Sequence, residues 1–195
     1  MQFLKKGLLI IMKKALIYGV LSSLFFAFTF IFNRSMHLSG GYWMWGACLR
    51  YLFLLPLLIA AFSYPLGNRK MMQHCPVFLN TVQRVFGMTL SSMPFWLITA
   101  AAAFLRSGLS SRGQLLQSFA VALFSGVIAT ILFFHATDLV KENPRQLAVI
   151  EATQCGEVIF TLIGGILVLG DRIPEPLGFS GLLLIIGGMI LNSFL

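Results

Sequence analysis

Glu157 is a carboxylate near the centre of the apolar segment 145–170, with Gln154 three residues before it and Thr153 and Thr161 four residues to either side. At 3.6 residues per turn these side chains form one polar stripe along an otherwise apolar helix. An ionisable group at the centre of a membrane-spanning helix costs about 2.5–3.5 kcal/mol on insertion scales, which makes it a functional candidate by default. Carboxyls removed from water favour the neutral form, the property required of a group that exchanges a proton for a cationic ligand. A protonated or paired carboxyl that only holds helices together satisfies the same pattern. Arg50 is the second anomaly, inside the second apolar run behind Tyr42, Trp43 and Trp45. It either snorkels toward an aromatic interface or faces a polar cavity, with Glu157 as a partner of opposite charge. Glu151 precedes Glu157 by six residues, about 240° around a helix, so it occupies another face and reads as interfacial or paired. His135 and Asp138, beside Lys141 and Glu142, read as a solvated helix end.

Other chemistry has no footing. The chain contains no Ser/His/Asp set, no nucleotide loop and no H-E-x-x-H helix, and its glycine pairs lie inside apolar runs without phosphate-binding context. Cys48, Cys75 and Cys155 are an odd number with no C-x-x-C spacing. The expectation is therefore no enzyme, no cofactor, no metal and no disulfide framework.

The elements that hold these residues are dictated by composition. The 195 residues are 58% hydrophobic and 10% charged, with a mean hydropathy of +0.89. Soluble domains carry roughly 25% charge, so a water-soluble fold is excluded, and disorder is excluded by the apolar content. The reading is an all-α, polytopic transmembrane helix bundle in one domain. A bilayer core about 30 Å thick takes roughly 20 residues per span, which gives about six spans: 14–33, 42–66, 78–104, 114–139, 145–170 and 175–194. The basic segment 1–13 precedes them. Met12 is an alternative start, in which case 1–11 are an extension. Breaks are legible at Ser39-Gly40-Gly41, Pro65-Leu66-Gly67-Asn68, Gly108 to Gly113 and Gly170 to Pro174. Asn143-Pro144 should open the fifth span, Asn as N-cap and Pro in the first turn. Pro94 should kink the third, with the Ser91 and Ser92 hydroxyls taking up the freed carbonyl. Ser118, Ala122, Ser125 and Ala129 form a small-residue stripe in the fourth, and Gly181, Gly187 and Gly188 make the sixth a close-packing helix.

The net charge of +8 is spread singly and in pairs between apolar runs, so nucleic acid is not an expected partner. Lys5, Lys6, Lys13, Lys14, Arg69, Lys70, Arg84, Lys141 and Arg145 fall on one side, against Arg34, Arg106, Arg112 and Arg172 on the other. That bias places both termini in the cytoplasm.

Gly170-Asp171-Arg172-Ile173-Pro174, followed by Gly178-Phe179-Ser180-Gly181 and the run to Gly187-Gly188, resembles the closing pattern of the drug/metabolite transporter superfamily. The opening pair of spans, with Tyr18-Gly19 to Ser23, Phe26 to Asn33 and the later Arg50, resembles its opening. More closely, Tyr64 to Met72, Ala136 to Lys141 and Glu151 to Glu157 are similar to its bacterial multidrug resistance efflux transporter branch. The resemblance implies about ten helices in two related halves, as in many secondary transporters, whereas this chain has room for about six. It reads as an opening pair joined directly to the second half, at a junction within Leu55 to Ala61. Small multidrug transporters, which are similar in their last helices, carry an essential glutamate in the first. This first span has no acid, so that role is not carried over.

The resemblance and the buried acid together imply a proton-coupled secondary efflux transporter of small lipophilic or cationic compounds, multi-pass in the bacterial inner membrane. Its partners would be the lipid bilayer, a small-molecule substrate and, in one reading, a second copy of itself. Glu157, Thr153, Gln154, Thr161 and Arg50 are the expected substrate and proton residues. The alternatives are an inactive or partner-dependent remnant of a longer transporter, and a metabolite permease of the same superfamily.

Overall fold

The computed structural model describes residues 2–63 and 81–194. The tract Tyr64 to Met72, the turn at Pro65 and Cys75 lie outside the described residues. Among those described there are helices and no strand: α1 Gln2–Leu38, α2 Trp43–Ser63, α3 Thr81–Ser107, α4 Arg112–Val140, α5 Pro144–Leu169 and α6 Pro176–Phe194. Five contain segments long and apolar enough to cross a membrane: Ile10–Leu38, Trp43–Ala60, Val85–Ser107, Arg112–Val140 and Pro144–Leu169. The 19 residues of α6 extend about 28 Å at 1.5 Å per residue, close to a hydrocarbon core of about 30 Å. The expected all-α architecture is observed among the described residues.

Local chemistry sets the helix ends. Asn143 caps α5, its side chain accepting from the backbone N–H of Arg145 and Gln146, with Pro144 in the first turn, as the sequence predicts. Ser111 caps α4 by accepting from Gln114 N–H. α1 closes on Gly40, at φ 78°, with Gly40 N–H donating to His37 C=O and Gly41 N–H to Met36 C=O. That pairing satisfies carbonyls the helix leaves open and needs a left-handed residue.

Backbone contacts divide the chain into two compact units, one of Met1–Ile31 and Leu132–Leu195, the other of Phe32–Ile131. In the second unit α2 packs against α3 and the first part of α4. Tyr51 stacks on Trp96 at 4.1 Å between ring centroids, and Phe53 meets Phe119 edge-on at 5.7 Å. The small-residue stripe of α4 is realised: Ser118, Ala122, Ser125 and Ala129 are all buried, and Gly126 lies under Leu54 so closely that an added Cβ would sit 2.8 Å from Leu54 Cδ1. The interior of the helix departs from the expectation, because Ala122–Ala129 is a π-helix. Thr130 Oγ1 reaches the Ser125 carbonyl, five residues back, at 3.0 Å.

Pro94 sits within α3, but the serines before it act differently from the expectation. Ser91 Oγ donates to Gly87 C=O at 2.7 Å and Ser92 Oγ to Thr89 C=O at 2.8 Å. A helical hydroxyl reaches carbonyls three or four residues behind it. Leu90, whose carbonyl the proline frees, is too near in sequence to either serine.

In the first unit Ala15, Ala136, Val140 and Ile150 form a buried cluster flanked by Leu16, Tyr18 and Leu147. α1 lies directly on α5. A Cβ on Gly19 would stand 2.5 Å from Thr153 Oγ1, one on Gly156 would stand 2.7 Å from Ser23 Oγ, and one on Gly164 would strike Ile31. The pairs ascend together along both helices, so the two run parallel and touch through small residues, the contact that brings helix backbones closest in lipid. α6 packs against the first half of α5. Its glycines do not make that contact: Gly181, Gly187 and Gly188 have open space where a side chain would project. The expected close-packing role falls instead to the glycines of α1 and α5.

Candidate functional site

Thr153, Gln154, Glu157 and Thr161 are brought together on α5, at a break the sequence does not announce. Pro144–Ala152 and Cys155–Leu169 are regular helix, and Thr153 and Gln154 form the turn between them. Across it the backbone tightens to three-residue spacing: Thr153 N–H bonds Ile150 C=O at 3.0 Å, Gln154 bonds Glu151 at 3.0 Å, Gly156 bonds Thr153 at 2.9 Å and Glu157 bonds Gln154 at 3.0 Å. Threonine and glycine are weak helix formers, and the Thr153 hydroxyl consolidates the turn by donating to Ile150 C=O at 2.6 Å. Such a turn inside a long helix is a recurrent functional device.

Glu157 falls midway between Pro144 and Leu169 and opens the second half of α5. Its side chain is half-buried and makes no hydrogen bond or ion pair among the described residues. On the same stripe Gln154 Nε2 and Thr161 Oγ1 are fully buried without a hydrogen-bond partner among those residues. Leaving a buried donor or acceptor unsatisfied costs about 1–3 kcal/mol each, so two on one helix face beside a carboxyl is an unusual concentration. Glycines hold the site in place. Gly19 lets α1 approach Thr153, and Gly156, next to Glu157, lets Ser23 approach α5. Glu151 is exposed and has no pairing partner among the described residues. His135, also exposed, meets Tyr18 edge-on at 5.2 Å.

Arg50 belongs to the other unit. Its Nη2 donates to Tyr51 Oη at 3.0 Å, and its Cζ lies 4.9 Å from the centroid of that ring. It lines a cavity of about 330 Å³ with Asn33, Met36, His37, Trp43 and Gln114. Gln114 is buried and locked, its Nε2 donating to Tyr42 C=O at 2.7 Å. The cavity wall carries both polar and apolar side chains. The aromatic residues before it do structural work as well: Trp45 Nε1 donates to Gly108 C=O at 3.0 Å, while Trp43 is largely exposed. Gln114 and Asn33, neither singled out by the sequence, complete the cavity; the visible signal was a glutamine and an asparagine near the ends of apolar runs. No group of three or more His, Cys, Asp or Glu suited to a metal occurs among the described residues.

Comparison with known proteins gives the same outline. A family model described as "EmrE: Putative multidrug resistance efflux transporter" matches residues 13–60 and 54–195. Its two pieces overlap at 54–60, which takes in most of the Leu55 to Ala61 stretch where the sequence suggests a join. The chain is 55% identical over 141 residues to "Uncharacterized protein YjlA" of Bacillus subtilis (strain 168), covering 72% of this chain and 44% of that protein. It is 43% identical over 102 residues to an "Uncharacterized 42.1 kDa protein in intracellular alkaline protease 3'region" of Shouchella clausii, covering 52% of this chain and 27% of that protein. The chain thus spans less than half the length of these curated relatives. No solved structure matches it. With its long apolar helices, this is a multi-pass membrane protein, and it belongs to the EmrE-like multidrug resistance efflux transporter family.

Proposed function

We propose that the chain is a proton-coupled secondary transporter that exports small lipophilic or cationic compounds, with both termini in the cytoplasm of a bacterial cell and the helices in its inner membrane. The observation that carries the reading is the Glu157 carboxyl at the broken centre of α5, flanked by the unsatisfied Gln154 Nε2 and Thr161 Oγ1. Discontinuous helices present polar groups at mid-membrane in many secondary transporters. Glu157 would take up a proton or a cation by turns, and the neighbouring amide and hydroxyls would supply hydrogen bonds to whichever is bound. Thr153, committed to Ile150, would keep the turn open.

The test is uptake of a lipophilic cation dye into vesicles holding the purified protein, with and without an imposed proton gradient. Gradient-driven uptake by the wild type that disappears in Glu157→Gln supports the reading. Equal, gradient-independent behaviour of the two overturns it.

A second reading has its own support. The two family matches overlap at 54–60 and the chain spans under half of its relatives, which fits a shortened transporter that works only with a second copy. Crosslinking in membranes decides it: a dimer band that tracks dye transport supports this reading, and transport by the monomer alone overturns it.

A further inference from the structure

The cavity around Arg50 has a charge balance that the export reading does not use. Its unit, Phe32–Ile131, contains no aspartate or glutamate, yet carries Arg34, Arg50, Arg69, Lys70, Arg84, Arg106 and Arg112. A half-buried guanidinium in a membrane protein normally pairs with an acid or faces an aqueous cavity. Within its own unit Arg50 has, among the described residues, only a phenol hydroxyl and an aromatic face, at 3.0 Å and 4.9 Å. A phenol hydroxyl uses one donor of a five-donor group and neutralises none of its charge.

The cavity lies among the last turn of α1, the first two turns of α2 and the first turn of α4, so it sits at the ends of these helices beside the exposed indole of Trp43. At about 330 Å³ it is at the small end for ligand sites, large enough for a head group and too small for a bulky drug. Its wall is mixed: Arg50, Asn33, His37 and Gln114 are polar, and Met36, Gly46 and Ala47 are apolar. The Gln114 amide, already bonded to Tyr42 C=O and Ser110, gives the wall a fixed polar side.

We infer that this cavity binds the oxyanion head, phosphate or carboxylate, of an amphiphile, with the Arg50 guanidinium as its counter-charge. Guanidinium binds such groups through two parallel N–H donors. Every residue of the cavity belongs to the unit Phe32–Ile131, and the inference does not depend on proton coupling.

The experiment is thermal unfolding of the purified protein in a neutral detergent. It is titrated with phosphatidylglycerol, zwitterionic phosphatidylcholine, glycerol 3-phosphate or inorganic phosphate. Phosphatidylglycerol should raise the transition temperature where phosphatidylcholine does not, and apparent affinity should fall about tenfold in Arg50→Gln, the loss of one charge-assisted contact. Arg50→Lys should recover part of it, and Arg106→Gln should leave it unchanged. A shift with glycerol 3-phosphate or phosphate as well identifies a soluble oxyanion as sufficient, and a shift with the lipid alone identifies a membrane source. Should Arg50→Gln fail to fold, Gly46→Leu fills the cavity from its wall, where a Cβ meets no atom closer than 3.7 Å, and must weaken binding likewise. Equal responses to the two lipids, or undiminished binding in both variants, overturn the inference.

Discussion

The two units of this chain are built from similarly apolar helices and differ sharply in charge. All six acidic residues lie between Asp138 and Glu175, in the unit that holds α5 and the Glu157 stripe, and none lies between Phe32 and Ile131. One unit therefore offers a carboxyl with unsatisfied polar neighbours, suited to a proton or a cation. The other offers a guanidinium in a cavity without a counter-charge, suited to an anion. The units also break their helices differently. α5 tightens to three-residue spacing at Thr153–Gln154, while α4 widens to a π-helix at Ala122–Ala129. In each unit a glycine in close contact with a neighbouring helix meets the irregularity, Gly19 against Thr153 and Gly126 under Leu54.

The largest expected effect separates the two charges. Glu157→Gln should abolish the dependence of dye uptake on the proton gradient, whereas Arg50→Gln should weaken the response to anionic amphiphiles. If both variants lose gradient dependence alike, the division of labour between the units is wrong.

A smaller effect compares the glycine contacts. Gly19→Ala should destabilise the first unit by about 1–3 kcal/mol, because the new methyl displaces a Thr153 hydroxyl held at 2.6 Å by Ile150 C=O. Gly126→Ala should cost less, since it meets the flexible end of Leu54. Pairing Gly19→Ala with Thr153→Ala should return part of the loss. The three tryptophans, Trp43, Trp45 and Trp96, all belong to the second unit. Their fluorescence reports Gly126→Ala, and labelling of the buried Cys155 thiol, in a background without Cys48 and Cys75, reports Gly19→Ala.

The smallest effect concerns the caps. Asn143→Ala removes the acceptor of two backbone N–H groups and Ser111→Ala removes the acceptor of one. Each should cost about 1 kcal/mol in thermal unfolding, with Asn143→Ala the larger. The opposite order would mean that solvent, and not the side chain, satisfies those amides.

Much of the fold is legible in the sequence because its signals are short-range. Apolar run lengths give the helices, Asn143-Pro144 gives the start of α5, and Gly40 and Gly108 give ends of α1 and α3, both at positive φ. Of the candidate residues, Thr153, Gln154, Glu157 and Thr161 do share one helix. Periodicity alone, however, runs the stripe through a continuous helix, and the turn at Thr153–Gln154 interrupts it. The glycines of α6 mislead for a related reason: small residues permit close packing but do not say which helix comes close. The serines before Pro94 mislead because polarity near a proline suggests a rescue of its freed carbonyl, while helix geometry directs both hydroxyls past Leu90 to other carbonyls.

What the amino-acid order determined by itself was the solvent this protein requires, the apolar runs that become helices, the Asn143 cap, and the confinement of acidic residues to the last third. Each depends on composition or on neighbours within a turn or so, and survives whatever the helices pack against. Only the tertiary structure decided that Gly19 and Gly156 make the seam between α1 and α5, that α4 widens over Leu54, and that Arg50 looks into a cavity completed by Asn33 and Gln114. Those outcomes depend on residues tens of positions apart meeting in space, and helix periodicity carries no information about which faces will meet.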